Sequence, residues 1–252
     1  MAGDEYVQSL ARGLEVLRAF DADNAELTLT DVANLTGLTR ATARRFLLTL
    51  VELGYLRTDG KRFALTSRVL DLGYRYLSSL TLPQLVQPHL EQLSRTVGES
   101  TSASILEGTD IVYVARVPVQ RIMTVTIGIG TRFPAYATSM GRAMLAGLPP
   151  AERAAHLPSE LTAFTDRTLI TRDALDAELD RVAAQGWALV DGELERGLRS
   201  LAMPVRGRDR VVAAINVAGR ADGDPAEHVA RLLPELRIAT DAIEQDLAAS
   251  GG

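Results

Sequence analysis

The sequence predicts an α+β protein of two units: a small helical amino-terminal unit with one hairpin, and a larger unit built on a mostly antiparallel sheet. Three observations support this prediction. Residues 1–66 combine helical spacing of apolar residues with one short hairpin pattern. Paired strand patterns dominate after residue 100, and helical patterns lie between and after them. A chain of 252 residues is long enough to bury a core in each unit.

Two helices are predicted in the first part of the chain. The first has apolar residues at helical spacing, and its predicted buried stripe is Leu10, Leu14, Leu17 and Phe20. The second covers residues 31–36 with Thr30 as its cap, because a threonine hydroxyl can accept a hydrogen bond from a free backbone N–H group. Gly37 is predicted to end that helix in the left-handed conformation, which glycine adopts at little steric cost.

The third helix is predicted to present a basic face. Thr39 caps it, and it runs to about Leu53, where Gly54 ends it. The apolar stripe predicted to be buried is Ala43, Phe46, Leu47 and Leu50. The residues predicted to project outward are Ala41, Arg44, Arg45 and Leu48, with Arg40 at the flank. Two short helices joined in this way, with small and basic residues exposed in the first turns of the second, fit a DNA major groove.

A hairpin is predicted directly after this helix, where it would form a wing. Residues 55–58 and 61–65 have strand character around Asp59-Gly60, a dipeptide that supplies the positive φ angles of a tight turn. Lys61, the only lysine in the chain, lies at the tip with Arg62, where both could meet phosphates. The residues predicted to contact DNA are Thr39, Arg40, Thr42, Arg44, Arg45, Lys61 and Arg62.

The distribution of charge favours DNA binding on one face. The chain carries a formal net charge of −5, yet between residues 39 and 76 the basic residues outnumber the acidic Glu52, Asp59 and Asp71. Such a local excess is typical of a surface that neutralises phosphates. Two alternatives stay open at this point. Arginines on a helix face are often merely solvated, and a winged helix can also bind a protein partner.

A linker helix is predicted over residues 67–82, where it could also pair with another subunit. Its mixed apolar stripe is Val69, Leu70, Leu72, Gly73, Tyr76 and Leu77. The larger unit, residues 83–252, is predicted to begin with a helix that opens at Pro83, restarts or kinks at Pro88 and ends at Gly98.

The sheet of the larger unit is predicted from alternating residues bounded by turns. The predicted strands are 100–106, 111–117, 123–129, 188–190, 200–205 and 211–218. The predicted helices are 139–147, 172–185 and 226–247. Helices of this length would cover the faces of an antiparallel sheet.

Residue usage argues against catalysis, a resident cofactor and a metal site. The chain has no cysteine, and its three histidines, predicted to lie on the surface, are far apart: His89, His156 and His228. No nucleotide-binding, metalloprotease or serine-hydrolase motif is present. An enzyme with an attached regulatory unit is the rival interpretation, and the missing nucleophile and metal ligands count against it.

The chain is expected to be cytoplasmic and free of membrane contact. Its first residues lack the basic and apolar blocks of a signal peptide. No apolar run approaches the roughly 20 residues that a membrane-spanning helix needs.

Three segments, in this order, resemble the IclR family of transcriptional regulators. They are residues 9–17 with the helices and hairpin that follow, residues 130–146 and residues 186–204. Residues 191–200 are similar to the branch of that family that controls protocatechuate, p-hydroxybenzoate and β-ketoadipate breakdown. The resemblance implies a winged helix-turn-helix followed by a GAF-like effector domain. It also implies a dimer or dimer of dimers that binds double-stranded operator DNA in response to a small carboxylate, aromatic or otherwise.

The resemblance also implies where the effector binds. The implied cleft residues are Thr138, Ser139, Met140, Asp191, Leu201, Asn216 and Ala218. Arg199 is singled out because a guanidinium can bind a carboxylate through two hydrogen bonds. The alternative for Arg199 is a structural ion pair with Glu193 or Glu195. The residues that could form an apolar wall, or simply core, are Tyr113, Met123, Phe133, Tyr136 and Trp187.

Overall fold

The structure is a computed structural model that describes residues 6–21, 23–72, 81–119, 127–208 and 210–250. The chain divides into two compact units, Met1–Ser79 and Leu80–Gly252. Of the predicted linker helix, residues 69–72 are helical and residues 73–80 lie outside the described residues. No described helix has the length and apolar character that crossing a membrane requires.

The amino-terminal unit is a winged helix-turn-helix. Its helices are α1 (Gln8–Arg18), α2 (Leu29–Thr36) and α3 (Arg40–Glu52). Its strands are β1 (Leu27–Thr28), β2 (Leu56–Thr58) and β3 (Arg62–Leu65), paired antiparallel in the order β1-β3-β2. Strand β1 was not predicted, because a run of two residues is too short to show alternation.

Helix α2 begins earlier than predicted, and its cap is Thr28 rather than Thr30. The Thr28 hydroxyl accepts a hydrogen bond from the Asp31 backbone N–H at 3.3 Å, and the Asp31 carboxylate accepts one from the Thr28 N–H at 2.9 Å. This reciprocal arrangement satisfies two backbone N–H donors at the start of the helix. Thr30 is instead followed three residues later by Ala33, whose side chain has no hydrogen-bond acceptor. Hydrogen bonds from Thr28 lower the pKa of Asp31. Gly37 ends the helix at φ 66°, as predicted.

The buried face of α1 differs from the predicted stripe. Leu10 and Leu14 are 63% and 49% exposed, whereas Val16 is fully buried and Phe20 nearly so. Val16 and Phe20 join the apolar core that α2 and α3 contribute. Apolar residues lie on more than one side of α1, so contact with the other two helices decides which side is buried. The prediction for Leu10 and Leu14 was therefore wrong.

The turn of the wing also differs from the prediction. The β2–β3 loop is longer than a two-residue turn, and Gly60 has a positive φ of 93° whereas Asp59 does not. Asp59 shapes the loop through its side chain instead, because its Oδ1 accepts hydrogen bonds from the backbone N–H groups of Lys61 and Arg62 at 2.8 and 2.7 Å. These hydrogen bonds lower the pKa of Asp59. The wing itself is confirmed, with a different turn chemistry.

The larger unit is the predicted α+β arrangement with an antiparallel sheet. Its helices are α4 (Thr81–Val97), α5 (Ser139–Ala146), α6 (Pro150–Arg153), α7 (Arg172–Gln185) and α8 (Pro225–Ala249). Its strands are β4 (Ser100–Glu107), β5 (Asp110–Val117), β6 (Arg132–Pro134), β7 (Ala188–Asp191), β8 (Leu198–Arg206) and β9 (Val211–Arg220). The strand order is β6-β5-β4-β9-β8-β7.

Helices cover both faces of this sheet. On one face α4 and α8 pack against each other and bury an apolar cluster that includes Leu201 and Val217. On the other face α5 and α7 bury a second cluster that includes Ala202 and Met144. Because side chains alternate along a strand, neighbouring residues of β8 face different helices. This alternation decides which predicted site residues can meet.

Two further sequence predictions, the kinked helix that opens at Pro83 and the strand over residues 123–129, differ in part from the structure. Helix α4 continues through Pro88 without a restart, and Gly98 follows its end with a φ of 71°. Residues 123–126 of the strand predicted over 123–129 lie outside the described residues, and residues 127–129 are not in a strand. The strand β6 instead follows a few residues later.

Candidate DNA-contacting helix and ligand cavity

Helix α3 presents cations to solvent because its apolar stripe holds it to the core. Ala43 and Leu47 are fully buried. The side chains of Arg44 and Arg45 are exposed on the other side of the helix. Phe46 is only partly buried and packs at the edge of the same core. The predicted orientation of α3 is therefore the observed one.

The start of α3 is organised by hydrogen bonds. The Thr39 hydroxyl accepts a hydrogen bond from the Thr42 backbone N–H at 3.2 Å and lies 2.9 Å from the Thr42 hydroxyl. Arg40 donates from Nη1 to the Thr30 hydroxyl at 2.8 Å, which ties α3 to α2. The two helices of the motif are thus joined by a side-chain contact as well as by their core.

Several cations of this surface are available to a ligand. Within the described parts of the chain, no ion pair or side-chain hydrogen bond engages the charged groups of Arg44, Arg45 or Lys61. Arg62 is exposed beside the wing loop. Charged groups without such internal partners can contact phosphates or bases without first breaking an internal bond.

A cavity lies between the sheet and the start of α5. The sheet contributes Ser100, Arg116, Val190, Ser200, Asn216 and Ala218. The start of α5 and its cap contribute Thr138, Ser139 and Met140. Two further sheet residues, Tyr113 of β5 and Leu198 of β8, and the loop residues Ile127 and Leu194 complete the lining. The cavity volume is about 30 Å³, which holds about two water molecules but not an aromatic ring.

The structure brings together five of the predicted effector residues. Thr138, Ser139, Met140, Asn216 and Ala218 all line this cavity. The Thr138 hydroxyl caps α5 by accepting a hydrogen bond from the Gly141 N–H at 3.1 Å. The placement of these residues agrees with the cleft that the resemblance implied.

Strand register explains why the sheet residues share the cavity. Ser102 lies opposite Arg116 on β5 and opposite Asn216 on β9. Ser200 lies opposite Ala218 on β9 and opposite Val190 on β7. Residues directly opposite each other in an antiparallel sheet point to the same face, so two rows of side chains converge below α5.

Three buried polar side chains form a hydrogen-bonded group in the cavity wall, which we call the polar cluster: Ser139, Ser200 and Asn216. The hydroxyls of Ser139 and Ser200 lie 2.7 Å apart. The Asn216 Nδ2 donates to the Ser200 hydroxyl at 2.8 Å. The Asn216 Oδ1 is buried and accepts no hydrogen bond from the described residues. An unpaired buried acceptor costs free energy, which a ligand donor would recover.

Arg116 brings a positive charge to the same cavity. It is half-buried, and its Nη1 donates to the Ser102 hydroxyl at 3.1 Å. Burial lowers the pKa of the Arg116 guanidinium, and the nearby Tyr113 hydroxyl acts in the opposite direction. Arginine stays protonated even after such a shift. Burial also raises the pKa of Tyr113 to about 12, so its phenol is neutral at physiological pH.

Three predicted effector residues do not line the cavity. Leu201 belongs to the apolar cluster under α4 and α8. Asp191 and Arg199 lie opposite each other on β7 and β8, where the Arg199 Nη2 donates to the Asp191 Oδ2 at 3.1 Å. None of the three is among the lining residues of the cavity. Arg199 and Leu201 are each one residue away from Ser200, and one step along a strand reverses the face.

Arg199 has a different partner from the two considered from the sequence. Its ion pair is with Asp191, not with Glu193 or Glu195, and its Nε lies 3.1 Å from the Asp191 Oδ1 without hydrogen-bond alignment. It also donates to the carbonyl oxygen of Gly223 at 3.3 Å. These contacts leave Arg199 with a structural role.

His228 was predicted to lie on the surface and is instead buried, with 6% exposure. Burial lowers the pKa of its imidazole, and the charges of Arg199 and Arg231 lower it further, while Asp191 opposes them. The neutral imidazole is therefore the form that the folded protein favours. Helix α8 presents this residue toward the Arg199 ion pair, which sequence alone could not reveal.

Protonation of His228 should weaken the fold. Its pKa in the folded protein is below the ordinary value of 6.5, so the unfolded chain binds the proton first as pH falls. Its stabilising contribution is present above pH 6.5 and is lost as pH falls through the folded pKa. Urea unfolding between about pH 8 and pH 5 should show a smaller loss of stability in His228→Gln than in the parent chain. An unchanged loss would contradict the assignment, and His156→Gln, at a partly buried histidine, is the matched control.

A buried ion pair fixes the loop that closes the cavity. Arg142 on α5 is 1% exposed, and its Nη1 donates to the Glu193 Oε1 at 2.7 Å. Its Nε donates to the Tyr136 carbonyl oxygen at 2.7 Å. Glu193 precedes Leu194, which lines the cavity. Sequence reasoning missed this pair, and the available signal was an arginine in a helix otherwise rich in small and apolar residues.

The predicted apolar wall is only partly at the cavity. Tyr113 lines it, and Phe133 packs against Tyr113 with ring centroids 6.0 Å apart. Tyr136 is core and donates its hydroxyl to the Thr162 carbonyl oxygen at 2.7 Å. Trp187 packs against the cluster on the opposite face, and Met123 lies outside the described residues.

Arg116 and Ser200 were missed as cavity residues. Arg116 is the one charged residue within the otherwise apolar interior of β5, and such a residue in a buried strand is itself a signal. Ser200 lies in the segment 191–200 that resembles one branch of the family, but the alternation of strand faces was needed to prefer it to Arg199.

Both units match descriptions of known protein domains. Residues 9–60 match "IclR helix-turn-helix domain", and residues 74–245 match "Bacterial transcriptional regulator IclR C-terminal". The Pca regulon regulatory protein of Pseudomonas putida is 41% identical over 94% of this chain and 82% of its own length. The p-hydroxybenzoate hydroxylase transcriptional activator of Acinetobacter baylyi is 35% identical over 93% of this chain and 89% of its own.

Solved structures share the fold over nearly the whole chain. A structure from Rhodococcus sp. RHA1 is 58% identical, with a TM-score of 0.88, and covers 97% of this chain and 100% of its own. An IclR homologue from Microbacterium hydrocarbonoxydans, complexed with 4-hydroxybenzoate, is 27% identical with a TM-score of 0.85. That match covers 96% of this chain and 100% of the homologue.

Proposed function

The chain belongs to the IclR family of bacterial transcriptional regulators, and from that premise we propose that it controls genes of aromatic-acid catabolism. In this proposal α3 and the wing bind operator DNA, and a small carboxylic acid in the cavity controls that binding. The protein acts in the cytoplasm, where operator DNA is located, and its role is regulatory rather than catalytic.

The proposal that the protein binds operator DNA rests on the exposed basic face of α3. Arg44 and Arg45 project from a helix whose opposite side is locked into the core. A recognition helix reads base edges in the major groove from such a face. Lys61 and Arg62 on the wing then contact the phosphate backbone, which adds affinity but little sequence information.

Exposed apolar residues just before and on α1 support assembly with a second copy of the chain. The exposed apolar residues are Tyr6, Val7, Leu10 and Leu14. Exposed apolar side chains that group on one surface can mark a protein interface. We propose a homodimer, or a dimer of dimers, that sets two recognition helices into major grooves roughly 34 Å apart.

The proposal that a small acid is the effector is supported by the cavity and by the names of related proteins. Two relatives are named for the Pca regulon and for p-hydroxybenzoate hydroxylase, and a structural neighbour holds 4-hydroxybenzoate. Among its described lining residues, the cavity offers one cation, Arg116, beside polar and apolar walls. A small aromatic carboxylate suits that combination, and an acid from another small-carboxylate pathway is the alternative.

Binding of such an acid requires the cavity to enlarge. A volume of about 30 Å³ cannot contain a ring, so side chains such as Met140 and Leu194 must move. Leu194 adjoins Glu193, whose ion pair with Arg142 connects the loop to α5. A ligand that favours the enlarged state shifts the population toward it, and operator affinity changes if the two states place the recognition helices differently.

Salt dependence of DNA binding tests the first half of the proposal. Duplexes selected from a random pool should bind with an affinity that falls steeply as salt rises. If Lys61 and Arg62 of two subunits each neutralise a phosphate, the four contacts predict a loss of roughly 100-fold between 50 and 200 mM salt. Fluorescence anisotropy would measure it.

Variants show whether these two side chains cause the effect. Lys61→Ala and Arg62→Ala should each make the salt response shallower, because each removes a phosphate contact from both subunits. Arg237→Ala, at an exposed arginine of α8, is the control and should leave it unchanged. A flat response in the parent chain would contradict the proposal.

A further inference from the structure

We propose that the effector is a hydroxylated aromatic monocarboxylate whose carboxylate pairs with Arg116 and whose hydroxyl joins the polar cluster. This inference rests on the proposed function, because it selects one chemical class for the same cavity. It differs from the sequence hypothesis, which assigned the carboxylate to Arg199.

Strand register puts the two recognition groups at suitable positions. Arg116, Ser102 and Asn216 occupy directly opposed positions on the adjacent strands β5, β4 and β9. Two inter-strand steps separate the backbones of Arg116 and Asn216 by roughly 10 Å. The Arg116 guanidinium reaches back to Ser102 on the middle strand, so it lies closer to Asn216 than the two backbones do. One small ligand lying across these strands could therefore contact both groups.

Arg116 is a cation without a carboxylate partner among the described residues. Its hydrogen bond goes to Ser102, which is neutral, and the described lining residues include no aspartate or glutamate. A guanidinium has five N–H donors, so one bond to Ser102 leaves several unused. A carboxylate could take two of them in parallel, a geometry that is both strong and directional.

The polar cluster fits a hydroxyl better than a second carboxylate. Its internal hydrogen bonds leave a hydroxyl proton and an amide proton to donate and the Asn216 Oδ1 to accept. A ligand hydroxyl can accept from the cluster and donate to it. A carboxylate can only accept, so it would leave the amide oxygen unsatisfied and bury a second negative charge.

The remaining walls favour a ring over an open chain. Tyr113, Ile127, Met140 and Leu194 present apolar or aromatic surface to the same cavity. Aromatic surface gains from contact with other rings, and methionine adapts its shape to an irregular partner. An open-chain dicarboxylate would lose these contacts and also the hydroxyl recognition.

Calorimetry on the full chain with four acids tests the inference. The acids are 4-hydroxybenzoate, benzoate, benzene-1,4-dicarboxylate and 3-oxoadipate. We expect 4-hydroxybenzoate to bind roughly tenfold or more tightly than benzoate, because benzoate leaves the Asn216 acceptor unpaired. Both dicarboxylates should bind more weakly than 4-hydroxybenzoate.

Variants assign each end of the ligand. Arg116→Gln should weaken 4-hydroxybenzoate and benzoate together by roughly 30-fold or more. Asn216→Ala should reduce the preference for the hydroxylated acid to about threefold or less while benzoate affinity stays within about twofold. Ser139→Ala serves as a second cluster variant and should also reduce the preference. Arg132→Gln, at an arginine paired with Glu107 outside the cavity, is the matched control and should change neither affinity.

The possible results of these measurements test the hydroxylated acid, the aromatic effector and DNA binding separately. Operator binding by every variant shows that it is folded. Equal binding of benzoate and 4-hydroxybenzoate by the parent chain, or tightest binding of 3-oxoadipate, would overturn the inference and leave the proposed function in place. Absence of binding by all four acids, with operator binding intact, would overturn the aromatic effector as well. Failure to bind DNA would overturn the proposed function itself.

Discussion

Arg44→Ala should abolish specific operator binding while the affinity for effector stays unchanged. Arg44 is exposed in the second turn of α3, opposite the buried Ala43 and Leu47. A good bidentate contact between an arginine and a base contributes about 1–3 kcal/mol of discrimination. A dimer loses two such contacts, about 2–6 kcal/mol in all, so specific affinity should fall by roughly 30-fold to 20,000-fold.

Anisotropy with selected and scrambled duplexes measures this loss directly. Arg18→Ala, at an exposed arginine in the last turn of α1, is the matched control and should bind both duplexes normally. Calorimetry with the effector should give the parent affinity in both variants, because Arg44 belongs to the amino-terminal unit and the cavity to the other. A normal footprint by the Arg44 variant would contradict the docking of α3.

Arg142→Met should be the most destabilising of the substitutions considered. It would leave the Glu193 carboxylate in the interior without its cation, since Arg142 is 1% exposed and supplies two of the contacts of Glu193. Breaking a buried pair by removing one partner costs about 3–5 kcal/mol. For a chain of this size the midpoint of thermal unfolding should fall by roughly 6–20 °C.

Calorimetric or urea unfolding would measure the change. The double variant Arg142→Met with Glu193→Gln should recover at least about half of the lost stability, because the second substitution removes the isolated charge. Arg181→Ala breaks the more exposed pair with Glu178 and should cost at most about 1 kcal/mol. A cost for Arg142→Met as small as that of Arg181→Ala would show that the buried pair contributes little.

The DNA-contacting helix was predictable because its signals are local. Thr39 as cap, Gly54 near the end and the stripe of Ala43, Leu47 and Leu50 all act within a few turns of one helix. Neighbouring residues therefore decide both the limits of α3 and the side that faces the core. The resemblance to a family of regulators extended the same conclusion to the whole chain, and the matching domain descriptions confirm it.

The predicted helix caps and buried helix faces were wrong where two candidate residues lay close together in the sequence. Thr28 and Thr30 are both plausible caps, and only Thr28 has an acidic residue at the third position after it. Leu10 and Leu14 have the spacing of a buried stripe, but the packing of α1 buries Val16 and Phe20 instead. In each case the prediction of a helix was correct and its detailed register was wrong.

The cavity could be placed in the chain but not assembled from sequence. The segments that carry Ser139, Asn216 and Ala218 were identified, and all three line the cavity. Arg199 and Leu201 were assigned to it too, although the alternation of β8 turns them to the opposite face. Arg116 on another strand supplies the positive charge instead.

By itself the sequence determined most of the helices and strands, the outward orientation of the basic side of α3, and the family. These properties follow from residue spacing, caps and turns, which act between near neighbours in the chain. Only the tertiary structure decided that Arg116, Ser200 and Asn216 meet below α5 while Arg199 pairs with Asp191. Strand register and phase control that outcome, because a shift of one residue reverses the face of a side chain.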